Sequence, residues 1–543
     1  MNAIQQMTEK KIGTTVPPGK RAITPGWRYF LTLTGLGALA CATYWSVMNN
    51  GPVADDWGQL SRVFDLPSSG LWRLFAAQSP HSIRPIPFFS VWLLYRPFGL
   101  NFMPSHLLSV GLHAINAFLL IWLLAELGVR FRTGVVAALL FLVTPLSAQA
   151  VSWVAGRYEV WTLFFMLLAL ALYAAFLRRG KRWRYALAML ATIAAWLCKE
   201  PAMTMIGLIP ALEIIFLFLP PAATRVKDWR QRFRAALKPA AIRVGILYVL
   251  FVGYITMRYV IMGRFGGAPY VPLFGKPSLG AMIQTTKTLL APLDALQSSR
   301  GMTMLLTVYV GVLYAVSLGL IVLRWKRASL RARRAWLFMA AFFAASLVPI
   351  YAYVFIPGWA GGLGYSRMFY GPYAAFISLM AIGLLEFGWR SPLWQVGVLV
   401  VLLALVPIFI IGLNRNNRVW ENQAVVSSAI AAQIPAELPD PPQGAKLYFR
   451  NVPRLIGSHI FGSAMLETVD VVYRRRDLQA FYVNPDPNPW LRNFFPDSVA
   501  KDSDGYLFNF DWSTYRLSLV RGPLIRAKPE KNPPQPYPPS VVP

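Results

Sequence analysis

Two acids, Asp55 and Asp56, stand side by side just after an apolar stretch at 28–49. A carboxylate there suits general-base work, the removal of a proton from an attacking hydroxyl. The plainer reading is that both acids solvate a loop. Further on, four cations stand where apolar stretches begin or end: Arg84, Arg157, Lys199 and Arg367. A charge at such a place is costly unless it is paired or wetted. Arg, with its fork of donors, suits a phosphate oxyanion, although snorkelling at a membrane interface would account for any one of these cations. Arg157 with Glu159, and Lys199 with Glu200, are close enough in sequence to form ion pairs, and Pro201 marks a helix break. His81 precedes Arg84 and could reach a substrate, whereas His106 and His113 share one helix face and read as contacts between helices. Four histidines without metal-ligand spacing give no metal signature. An ion shared between Asp55 or Asp56 and a phosphate stays open. Trp57, Trp153, Tyr158 and Trp359 could stack on a sugar, but the 19 Trp and 23 Tyr also suit a lipid interface.

The elements that position these groups follow from composition. The 543 residues are 56% hydrophobic, with only 14% charged and a mean hydropathy of +0.45. A soluble globular chain is about 25% charged, and a disordered one lacks this apolar content, so both classes are excluded. Stretches long enough to cross a bilayer, roughly 20 residues, fall near 28–49, 102–125, 133–152, 157–177, 183–199, 202–220, 241–261, 302–323, 335–356, 370–388 and 393–413. Cys41 and Cys198 both lie in apolar runs, which argues against a disulfide framework. Ala38 to Cys41 loosely resembles a lipoprotein cleavage box, but a basic flank before a full-length span reads as an uncleaved signal anchor.

The net charge of +30 sets the orientation. With residues 1–27 as a basic cytoplasmic N-terminus, the inner segments hold 26 Lys and Arg against four acids, a net +22. The tail from Asn414 carries only +3. This is the positive-inside pattern, and it argues against nucleic acid as the partner. Residues 84–100 are apolar but hold two prolines, Arg84 and Arg96, and so read as a helix lying on the outer face. Counting them as a span would turn the basic loops outward.

The polar groups also arrive in a distinctive order. Asp55-Asp56 is followed by Arg84-Pro85, then by His106, His113 and Asn116, then by Ala150-Val151-Ser152-Trp153 running to Glu159, and by Lys199-Glu200. Tyr365-Ser366-Arg367 to Pro372 and Arg415 to Glu421 complete the set. Over roughly residues 28–425 this resembles the GT-C superfamily of membrane glycosyltransferases, in particular protein O-mannosyltransferases and the bacterial relatives of the transmembrane-and-TPR O-mannosyltransferases. The resemblance implies an all-α polytopic membrane protein of about 11 spans with its N-terminus inside, in a bacterial inner membrane. It implies inverting transfer of a sugar, mannose or another hexose, from a polyprenyl-phosphate donor to a hydroxyl of a protein, glycolipid or polysaccharide. Residues 50–101 become the catalytic outer loop, with Asp55 as base and Asp56 orienting other groups. Arg84 and Arg367, then Arg157 and Lys199, become donor-phosphate ligands, and His81, Trp57, Tyr158, Glu159, Glu200 and Tyr365 substrate contacts. Thr144, Ser147 and Gln149 stand where the family often has histidines and an acid, and no TPR repeat follows the last span.

From 424 to 528 the composition turns polar, with strand-like runs at 446–449, 469–473, 480–483, 506–510 and 515–520. This reads as a small periplasmic α/β or β domain that covers the catalytic face and helps select the acceptor. Residues 529–543 form a proline-rich tail expected to be disordered. Arg474-Arg475-Arg476 reads as a solvated charge run, with an anionic lipid or acceptor as the sharper alternative. Two other functions fit the composition. A polysaccharide ligase or polymerase with a diphosphate-linked donor would more typically put its key cations in a large later loop. A lipid-linked sugar flippase would show internal repeats and charges buried mid-span.

Overall fold

The structure, a computed structural model, describes residues 25–76, 82–220, 229–263, 279–292, 300–351, 363–452, 455–483 and 505–520, apart from positions 457, 460, 462–463 and 512. Backbone groups in lipid must bond within their own segment, so the apolar stretches fold as helices. In chain order these are α1 (Pro25–Thr43), α2 (Asp55–Ser61), α3 (Pro85–Phe98), α4 (Met103–Leu127), α5 (Phe131–Leu142), α6 (Ala148–Ser152), α7 (Arg157–Arg179) and α8 (Arg182–Trp196). Then come α9 (Met205–Phe218), α10 (Trp229–Met262), α11 (Leu279–Leu290), α12 (Arg300–Arg324), α13 (Leu330–Tyr351), α14 (Tyr370–Glu386), α15 (Pro392–Glu437) and α16 (Met465–Tyr473). Among the described residues, eight helices are long and apolar enough to cross a membrane, and α5 with α6, bent by 52°, makes a ninth. Of the eleven expected spans, α1 and α8 fall outside that count; α8 has only 15 residues. With 14 residues, α3 is shorter than a span requires.

At the end of the bundle that carries most arginines, acids on helix ends answer the basic loops. Glu126 receives Arg178 at 2.9 Å and Arg179 at 2.8 Å, Glu386 receives Arg130 at 3.0 Å, and Glu213 receives Arg243 at 2.6 Å. The opposite end carries α2, α3 and the C-terminal domain, whose strands are β1 (Lys446–Arg450), β2 (Leu455–Ile456), β3 (Ser458–His459), β4 (Gln479–Tyr482), β5 (Tyr506–Asp511) and β6 (Arg516–Val520).

The main sheet runs β4-β1-β5-β6, with β1 parallel to both neighbours and β5 antiparallel to β6. A parallel β1–β4 pair requires a crossover, and α16 supplies it. The run 469–473, expected as a strand, is therefore the second half of a helix. A short apolar run fits either state by periodicity alone, and the crossover decides it. The domain is α/β.

Helix α15 has 46 residues, about 69 Å at 1.5 Å per residue. It passes through position 424, where the composition changes, without a break. Beyond its apolar half, Trp420, Ala424, Ser427, Ile430, Ala431 and Ile434 form a buried stripe at helical spacing. Ile430 and Ile434 share a core with Trp57, Leu60 and Phe88 of the loop region and with Leu447, Phe449, Val469 and Phe508 of the domain. One hydrophobic core therefore joins the loop that bears Asp55 to the C-terminal sheet.

Candidate active site

The loop after α1 reaches α2 through Ala54, a non-glycine residue at φ 49° and ψ −120°. An L side chain resists this left-handed region, at a cost of order 1–3 kcal/mol, and persists there when its surroundings dictate it. Those surroundings are a small apolar cluster of Val53, Ala54, Trp153, Ala155, Trp420 and Ala424, in which the Trp153 and Trp420 rings stack at 5.3 Å. The turn gives the adjacent acids opposite fates. Asp55 is exposed. Asp56 is buried, its Oδ2 accepting from the Val53 N–H at 3.0 Å and its Oδ1 from the Ala155 N–H at 2.7 Å. It thereby ties α2 to the turn that opens α7. In that turn Gly156 is required, because a Cβ there would meet the Gln149 carbonyl oxygen at 2.2 Å.

Burial pushes the Asp56 carboxyl up to about 8; the Val53 and Ala155 donors and the Arg157 cation oppose the shift, and the Asp55 charge adds to it. Between the ordinary value of 3.8 and about 8 the folded chain thus holds a proton that the unfolded chain has lost. The contribution is fully present below 3.8 and is lost as pH rises through about 8. Unfolding midpoints of the wild type should fall across this window relative to those of Asp56→Asn. Parallel pH profiles of the two proteins would contradict the buried acid.

Next to the acids, the Arg84 guanidinium lies over the Tyr158 ring at 5.1 Å and donates to Glu200 Oε2 at 2.9 Å. Tyr158 feels both Arg84 and the two aspartates. Glu200 also receives the fully buried Arg258 at 3.3 Å. Lys199 pairs with Glu159 and lies in the field of Arg84 and Arg367. The Arg367 guanidinium stacks over Trp153 at 4.9 Å with no carboxylate partner among the described residues, and its backbone N–H donates to Gln149 Oε1 at 2.9 Å. Arg157 is buried and donates to the Ser105 carbonyl at 3.1 Å.

The structure thus brings together Asp55, Asp56, Arg157, Tyr158, Glu159, Arg84, Lys199, Glu200 and Arg367. Trp57 is corrected: it is 1% exposed, and its indole N–H donates to Ser427 at 3.0 Å, so its ring is packing, closed to a sugar. The Glu159 and Glu200 carboxylates are held by cations. His113 bonds Tyr370 at 2.7 Å and the Leu142 carbonyl at 2.9 Å, and His106 bonds the Asn50 carbonyl at 3.1 Å, which are contacts between segments. His81, Trp359 and the Tyr365 side chain lie outside the described residues. In the arginine run, Arg475 pairs with Asp477 at 2.6 Å and Arg476 with Asp65 at 2.7 Å. No group of three or more His, Cys, Asp or Glu is assembled for a metal among the described residues.

No family model matches the chain. Over 195 residues it is 31% identical to protein O-mannosyl-transferase Tmtc1 of Drosophila melanogaster, covering 34% of this chain and 23% of that protein. Over 200 residues it is 30% identical to protein O-mannosyl-transferase TMTC3 of Homo sapiens, covering 34% and 21%. The chain is similar to the protein O-mannosyltransferases. It spans less than a quarter of those relatives' length. Among solved structures, ArnT from Cupriavidus metallidurans bound to undecaprenyl phosphate overlaps 93% of this chain and 100% of its own, at 13% identity and a TM-score of 0.48. The Archaeoglobus fulgidus oligosaccharyltransferase tethered with an acceptor peptide overlaps 90% and 67%, at 12% identity and 0.47. At that distance these two likenesses carry no weight.

Several groups at the site of this O-mannosyltransferase-like chain do not stand out in the sequence pattern. Arg258 stands inside the apolar run 241–261, where a charge by itself signals a site or an ion pair; that signal was available. Gln149, a departure from the family pattern, accepts the Arg367 backbone N–H and so orients that turn. Glu467 has no sequence signal, because only folding brings it within reach of the Asp55 charge, and Arg62, which ends α2, rests its guanidinium over Phe88 at 5.8 Å.

Proposed function

We propose that this chain is a GT-C-type membrane glycosyltransferase that moves a mannosyl or other hexosyl group from a polyprenyl-phosphate carrier to an acceptor hydroxyl, on the outer side of a bacterial inner membrane. One observation carries the reading: an exposed carboxylate, Asp55, without a partner among the described residues, stands beside a row of cations that continues from Arg84 through Lys199 to Arg367. The similarity to protein O-mannosyltransferases supports it, and the excess of positive charge at the opposite end of the bundle supports the side.

In this reading the acceptor oxygen attacks the anomeric carbon as its proton passes to Asp55. The bond from that carbon to the phosphate oxygen breaks, and the phosphate leaves with the electron pair. Attack opposite the leaving group inverts the anomeric centre. Arg84, Lys199 and Arg367 supply the charge that the departing phosphate develops, while Asp56 fixes the loop that aims Asp55. Glu200 on Arg84 and Glu159 on Lys199 offset the repulsion between these two cations in the absence of a bound anion.

The test uses the purified full chain in lipid nanodiscs with labelled polyprenyl-phosphate mannose and, in turn, a Ser/Thr peptide, extracted glycolipid and envelope polysaccharide. Label should move to one acceptor class with inverted configuration. Retention of configuration, or an intact donor with every acceptor, would reject the reading.

A further inference from the structure

The C-terminal domain reaches the site through α16, which lies across α2. The Ser61 hydroxyl, at the end of α2, donates to Asp470 Oδ2 at 3.1 Å. Arg476, just past α16, grips Asp65 with Nε and Nη2, each at 2.7 Å, and its guanidinium covers Phe64 at 4.6 Å. These contacts fix α16 against the helix whose first residue is Asp55.

Glu467 stands one turn before Asp470 on α16, and residues three apart share a helix face. Its side chain is partly open, while its Oε2 is shielded from solvent and makes no hydrogen bond. Among the described residues it has no ion pair; the charged groups it feels are Asp470, Arg62 and Asp55. Arg62, in turn, feels Tyr158 as well as Glu467. With α16 packed on α2, Glu467 therefore stands within reach of the Asp55 charge, and Arg62 links it to Tyr158. Three carboxylates, Asp55, Glu467 and Asp470, outweigh the cation Arg62 here, so this part of the site suits the donor's leaving phosphate less than the row Arg84, Lys199 and Arg367 does. It suits an uncharged or cationic partner that offers N–H or O–H donors.

We propose that Glu467 is an acceptor-positioning residue: its carboxylate receives a second N–H or O–H of the acceptor, next to the hydroxyl that attacks, and holds that hydroxyl on Asp55. The chemical class this selects is a hydroxyl with an adjacent hydrogen-bond donor, as in a Ser or Thr residue with its backbone N–H. The proposal rests on the transfer reaction proposed above, with Asp55 as base.

The test compares wild type, Glu467→Ala and Glu467→Asp as full chains in nanodiscs, with polyprenyl-phosphate mannose as donor and a Thr-containing peptide as the acceptor probe. Hydrolysis of the donor by water is followed in parallel. For Glu467→Ala the acceptor KM should rise by about 10-fold to 100-fold, the effect of losing one hydrogen bond to a charged group. Donor KM and hydrolysis should stay within about twofold of wild type, and Glu467→Asp should recover part of the loss. Leu466→Ala, on the exposed face of α16, should leave acceptor KM unchanged. An unchanged acceptor KM in Glu467→Ala, or a change in donor KM alone, overturns this role while leaving the proposed transfer standing. A wild-type chain that neither transfers nor hydrolyses the donor rejects the transfer reading itself.

Discussion

Asp55→Asn should lower kcat for sugar transfer by about 10²-fold to 10⁴-fold, the usual contribution of a positioned general base. Donor KM should change little, because the cations Arg84, Lys199 and Arg367 are untouched. The fold should survive, since Asp55 is exposed and has no hydrogen-bond or ion partner among the described residues. Asn at the start of α2 gives up only the charge–dipole attraction, about 0.3–1 kcal/mol. Asp56→Asn should behave differently. Both Asp56 oxygens accept backbone N–H groups, whereas an amide has one acceptor oxygen and would set its NH2 against the second donor. That variant should lose stability along with activity. The decisive measurement is kcat set beside the unfolding midpoint for each variant. If Asp56→Asn lost activity at unchanged stability while Asp55→Asn stayed active, the two roles would be exchanged.

Glu200→Ala should be the most damaging single change to stability at the site. Glu200 receives Arg84 at 2.9 Å and Arg258 at 3.3 Å, and the Arg258 side chain is 0% exposed. Removing the shared acid leaves a buried guanidinium without its counter-charge, which costs about 3–5 kcal/mol. Glu200→Gln keeps the shape and one acceptor oxygen and should lose less. The double variant Glu200→Ala/Arg258→Met removes both the acid and the stranded charge, and should regain part of the stability lost in Glu200→Ala. Thermal unfolding of the three variants in nanodiscs measures this. Equal losses in Glu200→Ala and the double variant would mean that the arginine is solvated by another route.

The membrane-crossing architecture was legible because apolar length is a one-dimensional property. Nine of the expected spans coincide with helices, or with the bent α5–α6 pair, that are long and apolar enough to cross. The candidate site was legible in part because the resemblance ordered Asp55, Arg84, Lys199 and Arg367 along the chain. What the order could not show is which groups are already satisfied within the protein. Trp57 and Glu159 look like substrate contacts until Ser427 and Lys199 are found beside them. The division of labour between Asp55 and Asp56 was likewise hidden, since it depends on the backbone at Ala54. Glu467 lies more than 400 residues from Asp55 in sequence, and no local pattern connects them.

The length of α15 has a consequence for modularity. A chain cut after Leu413, where the apolar stretch ends, would lose Asn416, which donates to the Pro145 carbonyl at 2.9 Å, and Asn417, which accepts from Ser152 at 2.8 Å. It would also lose Trp420 beneath the Ala54 turn and Ser427, which receives the Trp57 indole N–H and donates to the Pro52 carbonyl at 2.7 Å. These are the supports of the loop that aims Asp55. The bundle and its C-terminal extension therefore do not form interchangeable units with a seam at the membrane surface. Grafting another C-terminal domain onto this scaffold would have to keep α15 to its end at Glu437, and the exchange would begin beyond it.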